Sequence, residues 1–120
     1  MAATTEFVEG LRGRVIRYQK CLDCDAAQTL VRHACTKCGS LRLLWRNSEG
    51  RGTVFAATVV HRAPSDDFRP LAPYTLVLVD LDEGARLMAH GAPGLAIGDR
   101  VAATFFEHGA RTLVRFRPEP

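Results

Sequence analysis

No stretch of this sequence approaches the roughly 18 consecutive apolar residues that cross a bilayer, so no transmembrane helix is expected. The opening Met1-Ala2-Ala3-Thr4-Thr5-Glu6 lacks a basic region followed by an apolar run, so no export signal is read and a cytoplasmic protein is expected. There is no glycine-rich phosphate loop of the Walker or dinucleotide type. Lysine is scarce, with two against fourteen arginines. Cysteine is missing from every position outside residues 21–38. What remains is a chain of 120 residues, 47% hydrophobic and 24% charged, a mixture that folds as one domain or as two small units sharing an interface.

The clustered cysteines carry the strongest signal. Cys21-Leu-Asp-Cys24 and Cys35-Thr-Lys-Cys38 are two Cys-x-x-Cys knuckles, each able to present two sulfurs from one tight turn. Zinc suits four soft ligands in a tetrahedron, and the ten residues between the pairs leave room for a small hairpin, as in a zinc ribbon. The same tetrad also fits iron in a rubredoxin-like centre, and a disulfide or an empty site is the remaining alternative. Gly39 follows the second knuckle where the turn takes positive φ, and Asp25 holds the equivalent place in the first. His33 stands two residues before Cys35, as a surface residue or a stand-in ligand. A closed four-cysteine site has no open coordination position, so it supports a fold rather than a reaction.

Around this centre the chain reads in order. Residues 4–13 form a short helix capped by Thr4 or Thr5, with Phe7, Val8 and Leu11 on one side, either packed on the domain or docked on another protein. Strands are expected at 14–20, 29–33 and 41–46 around the cysteines. A boundary follows at 47–52, where two glycines and turn-forming residues cluster. Five more strands, at 53–61, 74–81, 86–90, 100–107 and 112–116, fit a small barrel, with Phe55, Tyr74, Phe105, Phe106 and Phe116 suited to its core. The segment 62–73, with three prolines and Asp66-Asp67, is a long loop of a kind that is often functional.

Charge is uneven. Residues 10–62 hold ten basic side chains against three acidic ones, whereas 63–120 hold six against eight. The basic half either attracts an anionic partner or is a solvated surface. Catalytic candidates are thin: the cysteines are committed to metal, and His61, His90 and His108 fit packed or exposed histidines better than bases. Asp66, Asp67, Asp80, Asp82 and Glu83 read as turn and solubility residues.

The order of these pieces resembles a known family. The two knuckles, the second followed by Gly39-Ser40, precede Leu44-Trp45 and Gly50-Arg-Gly52-Thr-Val54. Pro73-Tyr74 opens a strand that ends Val79-Asp-Leu-Asp-Glu-Gly84, and Ile97-Gly-Asp-Arg-Val101 comes last. Together they resemble the proteins that join a rubredoxin-like zinc ribbon to an OB-fold, once classed as a domain of unknown function (DUF35) and associated with acyl-CoA metabolism. Asp25 departs from the glycine usual there. The resemblance implies a mainly β fold with an N-terminal helix (1–13), a zinc ribbon (14–47) and a five-stranded OB-fold barrel (48–120). It also implies structural Zn2+ on Cys21, Cys24, Cys35 and Cys38.

In function, the resemblance implies a non-catalytic accessory subunit of a thiolase-like, hydratase or aldolase enzyme. Such a subunit helps to position acyl-CoA in lipid, sterol or polyketide-type metabolism. Arg46, Arg51, Arg62 and Arg69 are the expected contacts for CoA phosphates, chosen on charge and position. The competing class is single-strand nucleic-acid binding, which OB barrels perform through a basic groove and stacked aromatics; the slightly acidic barrel half weighs against it. A redox carrier through bound iron is the third.

Overall fold

The computed structural model describes residues 2–29, 32–61, 70 and 72–119, with side chains from Phe7 onward. Helix α1 runs Ala2–Arg12, so Thr4 and Thr5 lie within its first turns instead of preceding it; their side chains fall outside those described. Phe7 and Leu11, one turn apart, pack on the core, whereas Val8 stays 41% exposed. The helix therefore resolves the two readings in favour of packing on its own domain. It stops through paired backbone bonds, Val15 N–H to Gly10 O and Arg14 N–H to Leu11 O, both 2.9 Å, with Arg14 left-handed at φ 61.

The next three strands form one sheet in the order β2-β1-β3. β1 is Ile16–Cys21, β2 Ala27–Gln28 and β3 Leu43–Ser48. The second strand expected at 29–33 is thus two residues long and displaced, its place set by pairing of Gln28 with Gln19 and Ala27 with Lys20 rather than by β-branched content. Leu30 and Val31 lie outside the described residues.

The remaining strands, β4 (Arg51–Val60), β5 (Tyr74–Leu81), β6 (Arg86–Gly91), β7 (Arg100–His108) and β8 (Arg111–Pro118), close a barrel in the order β4-β5-β6-β8-β7. All neighbours are antiparallel except β6 and β8, which meet in parallel through His90–Arg115 and Gly91–Phe116. β7 completes the circle on Arg51, Gly52 and Thr53 of β4. This is the OB-fold arrangement. The register of β4 against β5 slips between Val54 and Ala56, so Phe55 is an extra residue on a bulge that bends the strand. That bulge overturns the core assignment of Phe55: it is 48% exposed, under the guanidinium of Arg86 at 3.7 Å.

Alternation fills the barrel. Thr75, Val77, Val79 and Leu81 of β5 point inward, and Phe116 of β8 is fully buried. Burying a side chain of that size stabilises the fold by about 2–3 kcal/mol. Ile16 and Tyr18 of β1 join the same cluster. The ribbon and the barrel thus share one core. Polar bonds reinforce the joint: the Glu83 carboxylate accepts from the Ser48 hydroxyl at 2.8 Å and from the Glu49 N–H at 2.9 Å, and the Thr29 hydroxyl donates to the Arg86 carbonyl. No helix among the described residues is long and apolar enough to cross a membrane.

Candidate functional site

β1 delivers Cys21 as its last residue, and a tight turn returns with Cys24; a second turn carries Cys35 and Cys38 ahead of β3. The two turns repeat one hydrogen-bond pattern. Cys21 N–H donates to Ala26 O, and Cys35 N–H to Ser40 O, at 2.8 and 2.9 Å. Asp25 and Gly39 N–H donate back to Cys21 O and Cys35 O, at 3.1 and 3.0 Å. Both residues after the knuckles are left-handed, Asp25 at φ 70 and Gly39 at φ 78, as their positions predict.

The four sulfurs lie within 4.8 Å of one another, with Cys21 Sγ 3.6 Å from Cys38 Sγ and Cys24 Sγ 3.5 Å from Cys35 Sγ. A regular tetrahedron of sulfurs around zinc, with bonds of about 2.3 Å, has edges of about 3.8 Å. The thiols are free, and Cys21 and Cys35 are buried while Cys24 and Cys38 reach the surface. Backbone amides aim at the sulfurs: Cys24 N–H at Cys21 Sγ, 3.5 Å, and Lys37 N–H at Cys35 Sγ, 3.4 Å.

The electrostatics divide the set. Backbone amides, chiefly that of Cys24, hold the Cys21 thiol below its ordinary pKa, and those of Cys38 and Lys37 lower Cys35 to about 6. The Ala26 amide favours the thiolate of Cys24, but crowding by the Cys35 thiol and burial leave it raised. At Cys38 the Ser40 amide is likewise outweighed, by Cys24, burial and the other thiols, and the group is pushed up to about 12. Four sulfurs this close cannot all carry negative charge without a cation among them. The residues present fit such an ion.

A brace surrounds the site that spacing alone did not show. Asp23, inside the first knuckle, pairs with Arg42 at 2.7 Å and accepts from the Ser40 hydroxyl, tying the first turn to the exit of the second. Lys20 lies 3.6 Å from Asp25. His33 is exposed and outside the four-sulfur group.

Of the arginines chosen on charge, Arg46 and Arg51 are described, and they stand on different strands. Arg46 is exposed on β3 opposite Tyr18. Arg51 opens β4, 3.6 Å from Glu119. Arg62 and Arg69, with Asp66 and Asp67, lie outside the described residues. Asp80 and Asp82 are more than turn residues: they pair with Arg86 at 2.6 Å and with Arg100 at 2.7 Å, and the latter contact holds the Asp82 carboxyl below its usual range. His61 is exposed beyond the end of β4, and His108 closes β7. His90 on β6 sits between the rings of Tyr74 and Phe106, a cluster drawn from three strands that no local motif announces.

Comparison with known proteins gives matches over both parts of the chain. Residues 8–43 match the family described as ChsH2, rubredoxin-like zinc ribbon domain, and residues 45–106 the family described as ChsH2, C-terminal OB-fold domain. A DUF35 domain-containing scaffold protein of Methanothermobacter thermautotrophicus is 32% identical over 93 residues, 72% of this chain and 68% of that protein. A probable enoyl-CoA hydratase alpha subunit of Thermomonospora curvata is 30% identical over 115 residues, covering 92% of this chain but only 35% of that longer protein. Among solved structures, a chain of the Ltp2-ChsH2(DUF35) aldolase superposes with a TM-score of 0.82 at 29% identity, covering 98% of this chain and 95% of that one.

Proposed function

The chain belongs to the ChsH2 family of rubredoxin-like zinc ribbon and OB-fold proteins, and from that premise we infer that it is an accessory scaffold subunit of a thiolase-like, hydratase or aldolase enzyme acting on acyl-CoA thioesters. One observation carries this reading: nearly the whole chain corresponds to nearly the whole of a chain from an aldolase assembly. The scaffold name of the archaeal relative and the CoA-linked name of the actinobacterial one support it.

Within this function Cys21, Cys24, Cys35 and Cys38 hold one structural Zn2+, which neutralises the crowded thiolates and fixes both turns. The buried pair anchors the ion beside β1, and the amide-to-sulfur bonds orient the knuckles. Because β1 also supplies Ile16 and Tyr18 to the common core, ordering the ribbon also holds part of the barrel's interior in place. A tetrathiolate zinc carries two negative charges, so part of the basic surplus in residues 10–62 answers charge of the protein's own making.

The test is co-expression with a thiolase-like, hydratase or aldolase gene product encoded beside it, followed by affinity capture and metal analysis. A stable complex with zinc in the captured chain is expected. A chain that purifies alone beside every such candidate overturns the accessory reading, and a coloured, iron-loaded protein overturns the zinc assignment.

A further inference from the structure

A cavity of about 520 Å³ opens at one end of the barrel, away from the cysteine knuckles in sequence, between the start of β5, the end of β6 and the turn that follows it. Tyr74, His90 and Arg115 line it together with the small residues Gly91, Ala92 and Gly94. Three features of its wall belong together.

The first is a run of rings. Tyr74 and His90 have centroids 5.0 Å apart, and His90 meets Phe106 edge to face at 5.5 Å. The second is an exposed cation. Arg42, Arg51, Arg86 and Arg100 each lie within 3.6 Å of a carboxylate oxygen. Arg115 has no carboxylate partner among the described residues; its guanidinium lies 4.2 Å over the ring of Phe106. Among the described residues, no aspartate or glutamate lines the cavity. The field there is positive enough to help burial keep His90 below its ordinary pKa, with Arg115 and then His108 as the charged contributors. The third is exposed backbone: Gly94 is left-handed at φ 87, and nothing stands within 4 Å of where a Cβ would lie, so a ligand can approach the main chain.

Rings in the cavity wall, a guanidinium with no carboxylate partner among the described residues and an open glycine turn are complementary to a planar base joined to phosphate. We propose that this mouth binds the phosphorylated head of a nucleotide, with the base against Tyr74 and His90 and a phosphate on Arg115. The inference rests on the acyl-CoA reading above and deepens it, since coenzyme A ends in such a head. It moves the anion contact from the linker arginines, Arg46 and Arg51, to β8. A free mononucleotide has the same chemistry and is separated from coenzyme A by experiment.

The zinc-loaded full chain is titrated calorimetrically with coenzyme A, adenosine 3′,5′-bisphosphate, AMP, inorganic phosphate and a single-stranded oligothymidylate. Saturable binding of coenzyme A and the bisphosphate is expected, with inorganic phosphate at least about tenfold weaker because it lacks a base. Arg115→Gln should weaken nucleotide binding by about tenfold or more, the worth of one charge-assisted hydrogen bond, and Arg46→Gln should leave it unchanged. Arg115 is exposed on β8, so its variant is checked for zinc content and far-UV dichroism before titration. AMP binding as tightly as the bisphosphate identifies a free mononucleotide as the source and keeps the site. Phosphate binding as tightly as the nucleotides, unchanged affinity in Arg115→Gln, or a preference for the oligonucleotide overturns the inference. If nucleotides fail to bind while the enzyme partner is still captured, the site falls and the accessory reading stands.

Discussion

Arg14 and Asp25 are the two described residues other than glycine with positive φ, at 61° and 70°, and different neighbours hold them there. Arg14 ends α1 and donates to Phe105 O at 3.0 Å, so the strained residue also ties the helix to β7. Asp25 has less to keep it, a 3.6 Å contact with Lys20 from a carboxylate that is 86% exposed. Asp25→Gly should therefore raise stability by about 0.5 kcal/mol, relief of the left-handed strain outweighing the looser unfolded chain. Gly39→Ala should cost about 1 kcal/mol, through φ alone, because its Cβ would meet nothing within 4 Å. Urea unfolding of the zinc-loaded variants reads both; equal effects of the same sign would sink the argument.

His90 gives a pH dependence at the same scale. Its folded pKa is lowered, first by burial, so between the folded value and the ordinary value of about 6.5 the unfolded chain binds more protons. Stability should therefore fall as pH drops below about 6.5, and His90→Gln should flatten that part of the profile. Urea midpoints measured from about pH 8 to pH 5 decide it.

At the scale of elements, α1 covers the weakest part of the barrel. β6 and β8 join through two register pairs, and the groove beside them, about 260 Å³, is lined by Phe7 and Leu11 of the helix with Leu87, Ala89 and Val114 of the strands. Phe7→Ala and Leu11→Ala should each cost about 2 kcal/mol, at the low end for core truncations because both are partly buried, and should raise binding of an apolar dye to the opened seam. Thermal unfolding and dye fluorescence check this; wild-type values for both would show that the seam holds without the helix.

The elements also show what the sequence could reveal. The span Tyr74–Leu81 coincides with its expected strand because strict alternation and flanking turn residues fix it locally. The cysteine tetrad was legible because two short motifs contain all of its ligands. β2 was not, since partner strands place it, and Phe55 was misread because a bulge breaks the alternation on which the inference stood. The mouth of the barrel was hidden for a third reason: Tyr74, His90, Phe106 and Arg115 come from four strands that only the closed order β4-β5-β6-β8-β7 brings together.

For the whole molecule, the common core changes what metal removal should do. A ribbon with its own separate core would unfold and leave the barrel untouched. Ile16 and Tyr18, at 1% and 5% exposure, make β1 part of the barrel's interior. Chelation should thus release the knuckles and also lower the melting temperature of the remaining cooperative transition, which keeps its β signal. Calorimetry with and without chelator distinguishes the two; an unchanged barrel transition would mean that β1 stays seated without its metal.

The parallel seam has one more consequence, in the order of synthesis. α1 leaves the ribosome about one hundred residues before β8, the strand that lies beside it in the finished fold. The helix is too short to be stable alone; β1 beside it is made at once, but the part of its apolar seat that β8 supplies comes later. A nascent chain stalled before β8 would therefore leave the helix's apolar face partly uncovered and open to chaperones.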